Sequence, residues 1–171
     1  MKRAVALGAT LALAAGCASM GMGGPSAVAN LEPTTGNTAK GTVSFTQHGD
    51  RVRVSAQLSG LKPNGEHAFH VHEKGDCSSG DGMSTGGHFN PDAKPHGPPN
   101  APHHAGDMPA VVADAYGNAT AAFTLKGVSI GGAAADLVGR GLIVHRDPDD
   151  YRTQPTGNAG PRIACAVIRK S

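Results

Sequence analysis

Histidine dominates the chemistry available to this sequence, because eight of its nine histidines lie within residues 67–145. A β-strand over residues 67–72 would place His70 and His72 on one face, since side chains alternate along a strand. Phe69 and Val71 would occupy the other face. Imidazole is a common metal ligand, so two imidazoles two residues apart are well placed to share a metal ion. The remaining ligands must come from elsewhere in the chain.

The candidate ligands outnumber what a single metal ion needs. Spacing alone suggests seven positions, one of them open between two neighbouring histidines: His70, His72, His88, His96, His103 or His104, Asp107 and His145. Imidazole suits copper and zinc, and a carboxylate among imidazoles suits zinc. Because one four-coordinate ion cannot use seven ligands, the set indicates two neighbouring metals. The alternative is a loosely His-rich metal-binding tract, which the separate positions of the histidines disfavour.

Short alternating segments separated by turn residues must position these ligands. No segment after residue 25 has a convincing helical period, which predicts an all-β sandwich or barrel. The expected strands span 27–32, 40–46, 51–58, 67–72, 110–114, 119–125, 142–145 and 162–168. Residues 47–50 and 115–118 are typical of hairpin turns.

Two long loops interrupt the strands, at residues 73–109 and 146–161. The first contains six of the twelve prolines and seven glycines, and a loop of that length is usually functional or disordered. Because it also holds several candidate ligands and Cys77, we expect metal and a disulfide to order it, in place of a core of its own.

The N-terminus has the features of an export signal. Lys2 and Arg3 precede an apolar run, residues 4–15, that is too short to span a bilayer as a helix. The small residues before Cys17 resemble the lipobox of bacterial lipoproteins, which implies a lipid anchor at Cys17. Ordinary cleavage nearby, with Cys17 free, is the alternative. The expected organisation is a lipoprotein-type signal peptide at 1–16, a flexible tether at 17–26 and a folded domain at 27–171.

Charge and cysteine count agree with export. The chain has 15 Lys+Arg and 13 Asp+Glu, and loss of Lys2 and Arg3 with the signal would leave 13 of each. A formally neutral protein lacks the charge pattern typical of nucleic-acid binding. Beyond Cys17, only Cys77 and Cys165 remain, and in an oxidising compartment they are expected to form a disulfide. Two buried free thiols are the alternative.

Five segments resemble the copper–zinc superoxide dismutase family, in that family's order. They are residues 67–73 (HAFHVHE), 86–91 (GGHFNP), 104–107 (HAGD), 144–145 (VH) and 157–165 (GNAGPRIAC). The resemblance implies an eight-stranded Greek-key β-barrel or sandwich with two long loops carrying the metal site, and this family is itself a standard example of the sandwich architecture. It also implies an oxidoreductase that dismutates superoxide to oxygen and hydrogen peroxide at a copper centre, joined by a histidine to a structural zinc.

The metal ligands implied by the resemblance fall into two overlapping sets. Copper would be held by His70, His72, His88 and His145, and zinc by His88, His96, His104 and Asp107, with one ion of each per subunit. His88 would therefore bridge the two metals. The resemblance also implies that His88 is catalytic, since the bridge would open and take up a proton when copper is reduced.

The resemblance assigns further roles outside the ligand sets. Arg162 would be the catalytic residue that docks the superoxide anion, and Cys77 and Cys165 match the family's disulfide. Asp149 corresponds to a carboxylate that joins a copper-side and a zinc-side histidine, with Asp147 and Asp150 as nearby rivals. Two other histidines stand apart: His67 matches a structural histidine near the copper side, and His103 has no counterpart.

The short loop at residues 146–161 resembles the bacterial branch of the family. That branch implies a periplasmic or cell-envelope protein, here lipid-anchored at Cys17, and it includes both monomers and homodimers. Charges that steer superoxide in other branches therefore do not transfer. Arg146, Arg152 and Lys74 are candidates, and each is equally readable as a plain surface charge.

Two other functions compete with dismutation. A metal-buffering lipoprotein without turnover would fit a chain that lacked a copper ligand or the arginine, and neither is missing here. A structural envelope domain stabilised by zinc would leave His70, His72 and His145 unexplained.

Overall fold

The computed structural model describes residues 23–132 and 135–171. The predicted signal peptide, Cys17 and most of the predicted tether lie outside these residues, and the first strand begins at Ser26. Within the described residues, no helix has the length and apolar character needed to cross a membrane.

Ten strands and one short 3₁₀ turn make up the regular structure of the described residues. The strands are β1 (Ser26–Pro33), β2 (Lys40–His48), β3 (Arg51–Ser59), β4 (Glu66–His67), β5 (Phe69–His72), β6 (Val111–Val112), β7 (Ala119–Lys126), β8 (Gly141–His145), β9 (Arg162–Val167) and β10 (Arg169–Lys170), and the 3₁₀ turn is Met83–Thr85. No α-helix occurs in this part of the chain, and the all-β prediction is confirmed.

Eight strands form one antiparallel sheet that curls around the core. Its order is β5-β8-β9-β1-β2-β3-β7, with β10 also paired to β1, while β4 and β6 form a separate two-stranded sheet. Since β9 pairs with β1 and β3 with β7, long connections cross the ends of the sheet, as in Greek-key arrangements. All seven strands of the main path contribute side chains to one buried cluster. The predicted eight-stranded Greek-key barrel class is confirmed.

Alternation explains the regular part of this sheet. In β3, Val52, Val54 and Ala56 are fully buried while the two arginines of the strand are exposed, as expected for a strand with one face on the core. His48 pairs with Arg51, so the predicted hairpin closes with a two-residue turn.

Two other predictions are wrong: one concerns how two strands pair, and the other concerns the continuity of a strand. The hairpin expected around residues 115–118 does not join its flanking strands, because β6 pairs with β4 and β7 pairs with β3. A tight turn survives there, closed by the Asp114 N–H donating to Asn118 O at 2.7 Å. The single strand expected at 67–72 is divided at Ala68, whose N–H donates to Asp147 O at 2.9 Å. Tertiary contacts decide both outcomes, since an alternating pattern does not specify a partner.

The long loop at 73–109 packs along the open edge of β5. Phe89 N–H donates to Val71 O, and Val71 N–H donates to Gly106 O, both at 2.9 Å. Phe89 and Met108 are 3% and 0% exposed and join the main core. Backbone pairing and core side chains therefore help to order this loop, beyond the metal and disulfide that were expected. The same pairing brings the loop's ligand candidates beside β5.

The disulfide predicted between Cys77 and Cys165 is present, with the two Cα atoms 6.0 Å apart. It ties the start of the long loop to the middle of β9. That strand begins with Arg162, so the disulfide holds the loop beside this arginine.

Removal of the disulfide is expected to destabilise the domain strongly. The bond closes a loop with a sequence separation of 88, and loop-closure entropy gives about 4–5 kcal/mol for a loop of that size. Urea unfolding of the metal-free Cys77→Ser/Cys165→Ser protein, compared with the oxidised parent, would measure the difference. Reduction of the parent protein should reproduce the loss, and a change below about 1 kcal/mol would contradict the chain-entropy argument.

Candidate metal centre

Four histidines from distant parts of the chain converge at one end of β5 and β8. The ligand atoms of His70, His72, His88 and His145 all lie within 4.8 Å of one another, and all four side chains are buried. β5 supplies two of them by alternation, the end of β8 supplies a third, and the long loop supplies His88. The geometry unites the residues that the resemblance implies for copper.

A second group adjoins the first. His88, His96, His104 and Asp107 also offer ligand atoms within 4.8 Å of one another, and they too are buried. All four lie in the loop at 73–109. They are the residues that the resemblance implies for zinc, and His88 belongs to both groups.

The two nitrogens of His88 face different groups. Its Nδ1 atom lies 2.8 Å from Asp107 Oδ1 and 3.4 Å from His104 Nδ1. Its Nε2 atom is buried and makes no hydrogen bond to the described residues. The His88 ring lies 4.0 Å from the His70 ring, centroid to centroid. One imidazole thus has the placement of a bridge.

Hydrogen bonds fix the tautomers of the other copper-side histidines. His72 Nδ1–H donates to Gly86 O at 2.9 Å, and His145 Nδ1–H donates to Gly160 O at 3.2 Å. Their Nε2 lone pairs are left facing each other at 3.4 Å. A ring nitrogen held by an acceptor leaves the other nitrogen unprotonated and ready to bind a metal.

Unpartnered buried nitrogens show that the site fits metal ions. The Nδ1 atom of His70 and the Nε2 atom of His88 are buried without a hydrogen bond among the described residues, and the Nδ1 atom of His96 lies 3.0 Å from Asp107 Oδ2. Buried polar atoms are rarely left unpaired, so each such atom needs an explanation. A four-nitrogen group suits copper, and three nitrogens with a carboxylate suit zinc. Both predicted metals therefore find matching donors.

Asp149 joins the two groups through their outer nitrogens. His70 Nε2–H donates to its Oδ2 at 2.7 Å, and His96 Nε2–H donates to its Oδ1 at 2.9 Å. Neither rival does this. Asp147 pairs with Arg146 at 3.0 Å. Among the described residues, Asp150 accepts hydrogen bonds only from its own loop, from Arg152 N–H and from the Thr153 N–H and hydroxyl. The geometry agrees with the predicted role of Asp149.

Burial lowers the pKa values of the copper-side histidines. It brings the pKa of His70 to about 4 against the opposing pull of Asp149, and it holds those of His72 and His145 well below the usual value. These rings are therefore neutral at pH 7, which is the form that binds a metal.

The residues implied for zinc differ from the copper-side histidines, because they carry charge in the metal-free protein. Burial alone would lower the pKa of His96, but hydrogen bonds to Asp107 and Asp149 raise it to about 9. Burial would also raise the pKa values of the two carboxyls, yet hydrogen bonds from the histidines hold both far below the usual range. Without metal, His96 is thus an imidazolium between two carboxylates at neutral pH.

Arg162 stands beside the copper-side group. It lines a surface depression together with His145, Met83 and Gly160, so this opening leads from solvent to one histidine of that group, His145. Its Nη1 atom donates to Gly82 O and its Nη2 atom to Gly86 O, both at 2.7 Å. A fixed positive charge at such an opening can attract an anion.

Some sequence candidates lie apart from both groups. His67 is buried and its Nδ1–H donates to His145 O at 2.9 Å, which agrees with a structural role. His103 is half-buried and donates to Ala101 O at 2.6 Å. Among the proposed steering charges, Arg146 is compensated by Asp147.

Sequence reasoning missed a clamp on the zinc-side loop. The side chain of Gln154 accepts from His96 N–H at 2.8 Å and donates to His96 O at 2.9 Å. It therefore fixes the backbone of one ligand from a loop 58 residues away. Nothing local in the sequence marks this glutamine, because its partner is known only once the loops meet.

A methyl group at position 157 is expected to disturb both groups. Gly157 has φ +64, and a Cβ there would overlap Asp149 Oδ1 and lie 2.5 Å from His96 Nε2. We expect Gly157→Ala to weaken zinc binding by about 10–100-fold, the usual effect of displacing a ligand's hydrogen-bond partner. Zinc affinity measured against a competing chelator would test this.

The matched control is Gly49→Ala. Gly49 has φ +59 but nothing within 4 Å of an added Cβ, so it suffers the same backbone strain without touching the site. It should unfold more easily while keeping its zinc affinity. Equal zinc affinities in the two variants would show that Gly157 does not support the ligands.

Comparison with known proteins agrees with this geometry. The family model for copper/zinc superoxide dismutase matches residues 39–168. A superoxide dismutase (Cu-Zn) of Paramecium bursaria Chlorella virus 1 is 41% identical over 150 residues, covering 84% of this chain and 77% of the viral protein. Superoxide dismutase (Cu-Zn) 2 of Brassica juncea is 44% identical over 137 residues, covering 75% of this chain and 88% of the plant protein.

A solved structure gives the same result. The crystal structure of the clock protein EA4 superposes with a TM-score of 0.77 at 40% identity, covering 87% of this chain and 97% of that one. The match extends over most of both chains. Together with the two metal-ligand groups, these similarities mean that the chain belongs to the copper/zinc superoxide dismutase family and dismutates superoxide with copper and zinc as its cofactors.

Proposed function

We propose that copper is held by His70, His72, His88 and His145 and zinc by His88, His96, His104 and Asp107, with His88 shared. The observation that carries this proposal is the division of the His88 ring, whose Nδ1 faces the carboxylate group while its buried Nε2 has no partner in the described chain. An imidazole can bind two cations at once only if each of its two ring nitrogens faces one of them.

Side chains of the protein would then bind superoxide, transfer a proton and orient the metal ligands. Bound copper supplies reversible one-electron exchange with superoxide, and bound zinc supplies fixed charge without redox chemistry. Arg162 would hold the anion at the opening, where its charge stabilises the second negative charge that develops. His88 Nε2 would take up and release a proton, and Asp149 would keep His70 and His96 in the tautomers that face the metals.

The decisive measurement is metal content and superoxide decay on the same purified sample. One copper and one zinc per chain with rapid decay is the expected result. Full zinc with copper excluded, or copper-loaded protein without activity, would overturn the assignment.

Arg162→Ala should lose most activity while retaining both metals, and loss of metal with activity would mean that Arg162 has a different role.

Zinc affinity is expected to rise with pH up to about pH 9. The pKa of His96 is raised to about 9 in the metal-free site, so binding through its Nδ1 must release a proton at neutral pH. Apparent affinity should therefore increase about tenfold per pH unit from that proton alone. Competition with a calibrated chelator at pH 6, 7 and 8 would measure the slope.

The copper side provides the internal comparison. His70 has a pKa lowered to about 4, so it has no proton to release between pH 6 and 8. We expect a flatter pH dependence for copper in this range. Equal slopes for the two metals would contradict the assignment of the charged histidine to the zinc side.

We further propose that the protein belongs to the bacterial branch and is lipid-anchored through Cys17 in the periplasm or cell envelope. The basic and apolar start of the sequence, the small residues before Cys17 and the disulfide that an oxidising compartment would favour support this. Mass spectrometry of the mature N-terminus and fractionation of a Cys17→Ser variant would test it. Acylated parent and released variant are expected, and an unmodified parent in the soluble fraction would contradict the anchor.

The subunit is proposed to act as a monomer or as a homodimer. Both ligand groups come from a single chain, so either form would contain complete sites. Light scattering across a range of concentrations distinguishes them, and activity per chain should be the same in both.

A further inference from the structure

The guanidinium of Arg162 is hydrogen-bonded by one short segment of the long loop, residues 82–86. Its Nη1 atom donates to Gly82 O and to Thr85 Oγ1, and its Nη2 atom donates to Gly86 O, each at 2.7 Å. The segment contains the 3₁₀ turn Met83–Thr85. Two of these acceptors are backbone carbonyls, which any residue would provide. The third is a side chain.

Thr85 is fully buried, at 0% exposure, and its hydroxyl has a defined direction. Thr85 Oγ1–H donates to Gly82 O at 2.8 Å, so its lone pairs remain for Arg162. A guanidinium has only donors, which requires the hydroxyl to accept. A Cβ on Gly141 would lie 2.8 Å from Thr85 Cγ2, so the methyl group packs closely against β8 and fixes the rotamer.

This arrangement determines which hydrogens of Arg162 remain for an anion. Nη1 carries two hydrogens, and both are used by the loop. Nη2 donates one of its hydrogens to Gly86 O, the same carbonyl that accepts from His72 Nδ1–H at 2.9 Å. The second Nη2 hydrogen and the Nε hydrogen make no other bond among the described residues. These two hydrogens therefore remain available to bind an anion.

We propose that Thr85 is a positioning residue for superoxide capture, which sets the orientation of the Arg162 fork through its hydroxyl. This inference rests on the proposed role of Arg162 as the anion-docking residue. Without the acceptor, one Nη1 hydrogen would be buried and unpaired. Because buried unpaired donors are unfavourable, the guanidinium would turn toward another acceptor and change the edge that it presents.

The test compares Thr85→Val with Thr85→Ser in the copper- and zinc-loaded protein. Valine keeps the shape and removes the acceptor, whereas serine keeps the hydroxyl and removes the methyl group. We expect Thr85→Val to lower kcat/KM by about three- to tenfold, because a misaligned Arg162 fork positions the anion less well, and to weaken azide binding, followed by visible absorption, by a similar factor. Thr85→Ser should restore both toward the parent values.

Metal content, thermal unfolding and Arg162→Ala separate the possible outcomes. Parent-like catalysis and azide affinity in Thr85→Val, with a large loss in Arg162→Ala, would overturn the role of Thr85 and leave that of Arg162 intact. Parent-like activity in Arg162→Ala would overturn the docking role itself. If Thr85→Val unfolds too easily to assay, a Thr85→Ser protein with equal stability but weakened azide binding would also contradict the proposal, because it retains the hydroxyl.

Discussion

Replacement of His88 by alanine is expected to abolish dismutation, with a loss of more than about 100-fold, because loss of a partner that merely orients a ligand already costs about 10–100-fold. Among the described residues, His88 is the one histidine that belongs to both ligand groups. The variant would remove one nitrogen from each metal. Copper and zinc content after dialysis should both fall, and superoxide decay should approach the uncatalysed rate.

His103→Ala is the control for this experiment. His103 lies in the same loop but in neither ligand group, and within the part of the chain that the structure describes its ring bonds only to Ala101 O. It should retain both metals and full activity. Parent-like metal content and activity in His88→Ala would mean that no ligand is shared, and would end the proposed assignment.

Conversion of Asp149 to asparagine is expected to lower the affinity for both metals by about 10–100-fold. The carboxylate accepts from His70 and His96 through separate oxygens, and Oδ1 also accepts from Tyr151 N–H at 2.7 Å. Asparagine has one acceptor oxygen and one donor group. Its NH₂ would face an imidazole N–H, and relief of that conflict would reverse a tautomer and protonate the nitrogen that faces a metal.

Chelator competition for each metal, followed by activity at saturating metal, would test this expectation. Asp150→Asn removes a charge from the adjacent position, where the side chain accepts hydrogen bonds from Arg152 and Thr153 of its own loop, and it should leave both affinities near the parent values. An Asp149→Asn protein with unchanged affinities would show that its two hydrogen bonds do not set the tautomers.

The sequence by itself was sufficient for the fold class and for naming the residues that the structure brings together in the two candidate ligand groups. Alternation in β3 predicts which side chains are buried, because one face of that strand meets the core and the other meets solvent. The spacing between His104 and Asp107, which matches the family motif, predicted His104 in place of His103. These features could be predicted because each depends on a short stretch of neighbouring residues.

Partners that are distant in the sequence were decided only by the tertiary structure. Asp149 meets His70 across 79 residues, and Arg162 meets Gly82 across 80. The clamp from Gln154 and the hydroxyl of Thr85 carry no local signature for the same reason. A residue's type determines what its side chain can donate or accept, whereas folding alone determines which group stands 2.7 Å away to receive it.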